Sequence, residues 1–268
     1  HVSHPVSATH LYFVDGPVTV ADVWWGSGSG KAKEADSWKT LLAFGEGRGA
    51  VDYAWSTSAS CDSGIGSSYS ETDGYIHYCG YHALNITDAL STAYLWHLNF
   101  TDATARAAQA PYLGDPWSKM MVGRVRINVG GTDTEKWVGF IGGGYNKNEC
   151  KTGNTCDRRG KSFYVVDLSS GLILWSYTYN DNTAGMNYSL PGTAAIVDTD
   201  NDTFIDTAYI GDLGGNIWRF KFCRESDMPS CAISGQTTNW SGSLFYDSSS
   251  GAIRPIYTSP AVAKDRAG

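Results

Sequence analysis

Ser162-Phe-Tyr-Val-Val-Asp-Leu-Ser-Ser-Gly-Leu-Ile-Leu-Trp-Ser-Tyr177 consists of two apolar runs that flank the turn Asp167-Leu-Ser-Ser-Gly171. Valine and aromatic residues are typical of β-strands, whereas Asp, Ser and Gly together are typical of a tight turn. The stretch therefore predicts two strands joined by a short turn, and the second strand carries Trp175.

The composition favours an all-β protein. The 268 residues include 31 Gly, 16 Tyr, 10 Trp and 9 Phe, and only 18% are charged. A disordered chain has few aromatic and many charged residues, and long helices need residue types that are scarce here. The net charge of −7 and the lack of a Lys/Arg cluster argue against a nucleic-acid partner. No apolar run approaches the ~20 residues that a membrane span requires.

The order of elements around Ser162–Tyr177 recurs along the chain. It comprises an apolar strand, a loop, a second strand ending in glycines, a third strand, a turn, and a strand containing Trp. The copies cover residues 10–100, 117–180 and 188–223, and a further copy begins within 250–268. Such a repeat predicts four-stranded antiparallel blades that bury their faces on one another, as in a β-propeller. Coincidental similarity between the strands of a β-sandwich is the alternative.

We therefore expect residues 1–268 to form a portion of a single propeller domain. Three blades and a fragment are few for a ring of four to eight, so either the chain is part of a larger propeller or irregular loops contain further strands. No signal peptide precedes His1, which also indicates a processed or excised part of a longer protein. Two stretches interrupt the pattern: residues 56–78 predict a long surface loop, and residues 101–110 predict a short surface helix.

The cysteines indicate an oxidising compartment. They form three sequence-local pairs: Cys61 and Cys79, Cys150 and Cys156, Cys223 and Cys231. None of the pairs has the spacing of a zinc knuckle or a neighbouring His, so we expect disulfides rather than a metal site, although six cysteines allow 15 connectivities. Buried free thiols remain the other alternative. Disulfides imply export to the periplasm or the cell surface.

The sharpest motif is Asp198-Thr-Asp-Asn-Asp-Thr-Phe-Ile-Asp206, which lies between two apolar strands. Four carboxylates within nine residues repel one another, and positions one, three and five of such a loop can surround a Ca²⁺ ion together with a carbonyl at position seven. The predicted ligands are Asp198, Asp200, Asp202, the Phe204 carbonyl and Asp206. Position six is Thr203 rather than Gly, and the usual Glu at position twelve is replaced by Tyr209. A solvated acidic turn without an ion is the alternative.

The acidic loop and the following Ala208-Tyr-Ile-Gly-Asp-Leu-Gly-Gly-Asn-Ile-Trp-Arg-Phe220 resemble the C-terminal propeller of the PilY-type family, the type IV pilus biogenesis factors and tip-associated adhesins of bacteria. Tyr12–Asp22, Gly142–Asn146, Phe163–Gly171 and Trp175 support the resemblance. It implies a quinoprotein-like β-propeller with one Ca²⁺ in the acidic loop. It also implies a place at the pilus tip or cell surface, after passage through the periplasm. Minor or major pilins, and a surface or host receptor, are the partners that it implies.

We therefore expect a non-enzymatic, calcium-binding domain that supports pilus extension and surface attachment. A quinoprotein-like dehydrogenase is one alternative, because such enzymes share the blades and use Ca²⁺, but the chain lacks their adjacent cysteine pair. A carbohydrate-binding propeller is another, suggested by the abundant Tyr and Trp. Most of these aromatic residues lie at strand positions, where packing is the default role.

Overall fold

The computed structural model describes residues 14–25, 33, 37–47, 80–98, 112–129, 132–146, 158–181, 185–223, 239–248 and 254–263. These residues form three four-stranded sheets. The first sheet contains β1 (Val18–Trp24), β2 (Trp38–Gly45), β3 (Tyr81–Asn85) and β4 (Ala93–Leu98). The second contains β5 (Met121–Val129), β6 (Thr132–Gly142), β7 (Ser162–Asp167) and β8 (Ile173–Thr178). The third contains β9 (Ala195–Val197), β10 (Thr207–Gly211), β11 (Ile217–Lys221) and β12 (Ser241–Tyr246).

Each sheet is an antiparallel meander in which strands pair in chain order. The first strands of the sheets are neighbours, because β5 contacts β1 on one side and β9 on the other. The expected all-β class with four-stranded antiparallel units is thus confirmed. The helical element among the described residues is a 3-10 turn (Tyr179–Asp181), and no helix in this part of the chain is long and apolar enough to cross a membrane.

Aromatic side chains fill the space between the second and third sheets. Phe163 of β7 stacks on Phe220 of β11 with ring centroids 4.1 Å apart, and Trp175 of β8 meets Phe220 edge-on at 6.0 Å. All of β7 is buried, because the sheet has a neighbour on each face. Burial of one such ring is worth about 1.5–3 kcal/mol, so these contacts fix the third sheet, and the acidic loop it carries, against the second.

A second core joins the first and second sheets. Trp96 of β4 donates its indole N–H to the Leu168 carbonyl at 2.7 Å, and the Tyr81 hydroxyl of β3 donates to the Ser118 carbonyl at 2.7 Å. Burial raises the pKa of the Tyr81 hydroxyl above its usual value, so this group keeps its proton and remains a donor. The polar ends of large apolar side chains are thereby satisfied inside the core.

The third sheet extends beyond residue 223, where the repeat pattern placed its end. Ser241–Tyr246 pairs with β11 and completes the sheet, although alternating Ser and Gly residues give this strand little apolar pattern. Residues 254–263, predicted to open a further blade, form no strand within that range. They cross the end of the third sheet instead, where the Ile256 N–H donates to the Asp212 carbonyl at 3.0 Å.

Several expectations fall outside the described residues. These are the surface loop at 56–78, the helix at 101–110, and five of the cysteines: Cys61, Cys79, Cys150, Cys156 and Cys231. Cys223 follows β11 in the core and is disulfide-bonded. The three pairings stay predictions.

Candidate metal centre

The acidic loop, residues 198–206, connects β9 to β10, which are adjacent antiparallel strands. Its ends are fixed by backbone hydrogen bonds, because the Asp206 N–H donates to the Val197 carbonyl at 3.1 Å and the Phe222 N–H donates to the Asp206 carbonyl at 2.7 Å. A third bond crosses to the second sheet, from the Ile205 N–H to the Arg124 carbonyl at 2.7 Å. The loop is therefore held by two sheets rather than one.

Asp198 organises the first half of the loop. Its Oδ1 accepts hydrogen bonds from the N–H groups of Asn201 and Asp202 at 2.6 and 3.2 Å, and its Oδ2 accepts from the Thr203 N–H at 2.7 Å. Asn201 and Thr203 have positive φ angles of 63° and 76°. The tight turn that Gly commonly provides at position six is thus made by Thr203, a conformation that is strained for a β-branched residue.

Asp206 closes the loop from a buried position. Its Oδ2 accepts hydrogen bonds from the backbone N–H and the hydroxyl of Thr199 at 2.8 and 2.7 Å, and its Oδ1 accepts from the Thr207 hydroxyl at 2.9 Å. Only 2% of Asp206 is exposed, so these donors stabilise a carboxylate that has lost most of its water.

Three of the predicted ligands converge. One carboxylate oxygen from each of Asp198, Asp200 and Asp206 lies within 4.8 Å of the others. Two oxygens on opposite sides of a Ca²⁺ ion are about 4.6–5.2 Å apart, so the three fit a single calcium shell. The slight desolvation of this exposed carboxyl, followed by the charge of Asp202 and then those of Asp206 and Asp198, raises the pKa of Asp200 above its ordinary value. The repulsion expected from the sequence is therefore present, and hard oxygen donors are the ligands that Ca²⁺ prefers.

Asp202 has a different neighbour. Its Oδ1 accepts the Phe204 N–H at 2.8 Å, while its Oδ2 is buried without a hydrogen-bond donor among the described residues and lies 3.5 Å from Arg126 Nε. Asp202 is thus not part of the three-carboxylate cluster, and its role as a ligand stays a prediction. The same applies to the Phe204 carbonyl.

The basic side of the site was not predicted from the sequence. Arg124 and Arg126 are separated by one residue on β5, and this spacing places both side chains on the same face of the strand. Both guanidinium groups lie over the Phe204 ring, at 4.8 and 4.4 Å from its centroid. The acidic loop therefore rests on two cations of the neighbouring sheet.

Comparisons with known proteins agree with this fold. The family model of the PilY1 beta-propeller domain matches residues 114–267. The type IV pilus biogenesis factor PilY1 of Pseudomonas aeruginosa is 26% identical over 269 residues, which covers 95% of this chain and 18% of that protein. A PilY1 homolog of Xylella fastidiosa is 29% identical over 91 residues, which covers 31% of this chain and 6% of that protein.

The crystal structure of the Pseudomonas aeruginosa PilY1 C-terminal domain superposes on this chain with a TM-score of 0.60. The two sequences are 21% identical, and the match covers 95% of this chain and 42% of the solved one. The likeness establishes the fold. The chain spans less than a fifth of the full-length Pseudomonas relative, 18% of its length.

Proposed function

The chain belongs to the PilY1 β-propeller family, and we propose that it is the calcium-binding propeller portion of a type IV pilus biogenesis factor. In this proposal the domain acts without catalysis, at the pilus tip or bacterial cell surface after transit through the periplasm. It supports pilus extension and surface attachment through contacts with major or minor pilins, and with a surface or host receptor.

The convergence of Asp198, Asp200 and Asp206 carries the calcium part of the proposal. Asp198 and Asp206 hold the two ends of the loop, and Asp200 contributes a carboxylate that is open to solvent. Asp202 and the Phe204 carbonyl are the further ligands that the spacing of the loop predicts. A bound Ca²⁺ would supply the positive charge that offsets the repulsion between these carboxylates.

Calcium binding would act on the domain through the position of the loop. The loop joins β9 to β10 and is hydrogen-bonded to β5, so a cation that fixes it also fixes the boundary between the second and third sheets. An ion that binds only the folded state stabilises it by about 2.7 kcal/mol at a concentration 100 times its dissociation constant. A boundary made rigid in this way could present a constant docking surface to a pilin.

Thermal unfolding of the purified domain with Ca²⁺ or with a chelator tests the metal site. We expect Ca²⁺ to raise the Tm of the wild type, and Asp198→Ala to abolish this increase. Asp22→Ala is the matched control, because Asp22 is an exposed carboxylate of the first sheet whose partner is the Thr40 hydroxyl. A Ca²⁺-dependent increase of equal size in Asp198→Ala would refute the site.

The pilus role needs a test in cells. We expect bacteria that carry Asp200→Ala in the full-length protein to assemble fewer surface pili and to attach less, while Asp22→Ala leaves both unchanged. Electron microscopy counts pili, and immunoblotting verifies equal protein levels. Normal piliation and attachment with Asp200→Ala, at normal protein levels and with calcium binding lost in vitro, would refute the role of calcium in pilus function.

A further inference from the structure

The ion pair between Arg126 and Asp202 crosses from the second sheet to the third. Arg126 Nε lies 3.5 Å from Asp202 Oδ2, and the two side chains are only 19% and 13% exposed. Partial burial reduces screening by solvent, so this pair interacts more strongly than an exposed one. Asp202 is also the predicted ligand at position five of the acidic loop. Because its Oδ2 faces the guanidinium group of Arg126, this oxygen is not turned toward a cation in the three-carboxylate cluster.

The neighbouring Arg124 has a different role. It donates to the Thr203 carbonyl at 3.4 Å and to the Thr203 hydroxyl, and it forms an ion pair with Glu135 at 3.3 Å. Glu135 in turn forms an ion pair with Lys33 at 2.7 Å. Arg124 therefore shares the Glu135 carboxylate with Lys33 outside the loop, and its contact with Thr203 supports the positive-φ turn. Arg126, in contrast, forms its ion pair with Asp202, which is a predicted calcium ligand.

We propose that Arg126 sets the calcium affinity of the acidic loop by competing with the cation for Asp202, an inference that rests on the proposed calcium function. In the cation-free loop Asp202 pairs with Arg126 across the sheet boundary. Binding of Ca²⁺ draws the Asp202 carboxylate toward the cluster and weakens that pair. Arg126 is thus a positioning residue that also lowers the negative potential felt by an approaching divalent cation.

The competition couples calcium binding to the packing of the two sheets. Arg126 stacks on the Phe204 ring at 4.4 Å as well as pairing with Asp202, so it remains against the loop when the ion pair opens. Two linked equilibria affect each other by the same factor. If Ca²⁺ favours the separation of β5 from the acidic loop by a given factor, a mechanical load or a partner that separates them raises the calcium affinity by that factor. Arg126 therefore makes the site sensitive to the relative position of the two sheets.

Calorimetric titration of the chelator-treated domain with Ca²⁺ alone tests the proposal. We expect Arg126→Gln to lower the dissociation constant about threefold to tenfold, the effect of one partly screened charge at this range. Arg126→Lys keeps the charge and is expected to stay within about twofold of wild type. Arg158→Gln is the matched control, because Arg158 also lies over an aromatic ring, that of Tyr179 at 5.2 Å. It is expected to leave the dissociation constant unchanged.

A double-variant cycle shows whether Asp202 mediates the effect. In an Asp202→Ala background we expect Arg126→Gln to change the dissociation constant by less than half of the factor seen in the wild type. Unchanged or weaker binding in Arg126→Gln overturns the inference, as does an equal gain in Arg126→Lys or in the Asp202→Ala background. If the wild-type domain does not bind Ca²⁺, the proposed function fails and the inference fails with it. If the wild-type domain binds Ca²⁺ and the Arg126→Gln variant does not bind it more tightly, only the inference about Arg126 fails.

Discussion

Asp206 Oδ2 accepts hydrogen bonds from both the backbone N–H and the side-chain hydroxyl of Thr199, at 2.8 and 2.7 Å. These bonds join the last residue of the acidic loop to its second residue, so the loop is closed by its own side chains. The same carboxylate belongs to the three-oxygen cluster. Asp206 therefore has a structural role that is separable from any role in calcium binding.

This dual role predicts unequal effects for two substitutions of the same kind. Asp206→Asn places an amide N–H₂ group among donors in a buried position, and we expect it to lower the free energy of unfolding in chelator by about 1–3 kcal/mol. Asp200→Asn is the control, since Asp200 is exposed and its hydrogen bond from the Asp202 N–H is long, at 3.3 Å. Its expected effect is below about 0.5 kcal/mol. Equal losses in urea unfolding would contradict the assignment.

Gly123 leaves room on β5 for the acidic loop. A Cβ atom at this position would lie 2.6 Å from Ile205 Cγ1 and 3.3 Å from the Phe140 ring. Gly123→Ala is therefore expected to push the loop away from β5 and to destabilise the domain by about 1–3 kcal/mol. In combination with Ile205→Ala, which removes the clashing Cγ1, the Gly123→Ala substitution should cost less than it does beside Ile205, so that part of its loss is recovered. No recovery in chemical denaturation would contradict a steric cause.

Glu46 and His82 form a buried pair on the first sheet, with Glu46 Oε1 3.3 Å from His82 Nε2. Burial raises the pKa of the Glu46 carboxyl above 4.5, despite the opposing effect of His82. Between the unfolded and folded pKa values the native state holds more protons than the unfolded chain, so this group makes stability fall as pH rises through that window.

Glu46→Gln removes the titrating group, so its free energy of unfolding is expected to decline less than that of the wild type as pH rises from 4.5 through the raised pKa. Urea unfolding at a series of pH values measures the difference between the two proteins. The comparison is made in chelator, so that the acidic loop contributes equally to both. A difference that is constant across the series would contradict the raised pKa.

Asp212 holds the turn between β10 and β11 from a fully buried position. It accepts hydrogen bonds from the Gly214 and Asn216 N–H groups, the Asn216 side chain and the Trp218 indole, at 2.8 to 3.0 Å. Asp212→Ala leaves these donors without an acceptor, and we expect a loss of about 2–5 kcal/mol. Asp88→Ala is the control, because Asp88 is exposed and caps its turn through the Leu90 N–H. Similar losses for both in chemical unfolding would contradict this account.

The sequence was sufficient to predict the sheets because most strands alternate apolar residues or end in turn residues. Ser162–Asp167 and Ile173–Thr178 are the two strands predicted on either side of the turn that begins at Asp167. The strand Ser241–Tyr246 was not predicted, since its Ser and Gly residues gain their strand conformation from pairing with β11 rather than from intrinsic propensity. A further blade was predicted to begin within 250–268, but residues 254–263 form no strand and lie across the end of the third sheet.

The acidic loop could be found from sequence because all its carboxylates lie within nine residues. The spacing predicted five ligands in this loop, and three of them, Asp198, Asp200 and Asp206, converge. Asp202 is turned toward Arg126 instead. Arg126 could not be assigned to the site in the same way, because its proximity to Asp202 depends on how the second and third sheets pack. Contacts between sheets are set by tertiary structure, and local sequence patterns do not encode them.

Titration of the chelator-treated wild-type domain with Ca²⁺, with stoichiometry measured by calorimetry, tests the central claim most directly. The account predicts one saturable site per chain that is lost in Asp200→Ala, a substitution at an exposed position that leaves the fold intact by circular dichroism. Absence of saturable binding by the wild type, or an unchanged site in Asp200→Ala, would contradict it.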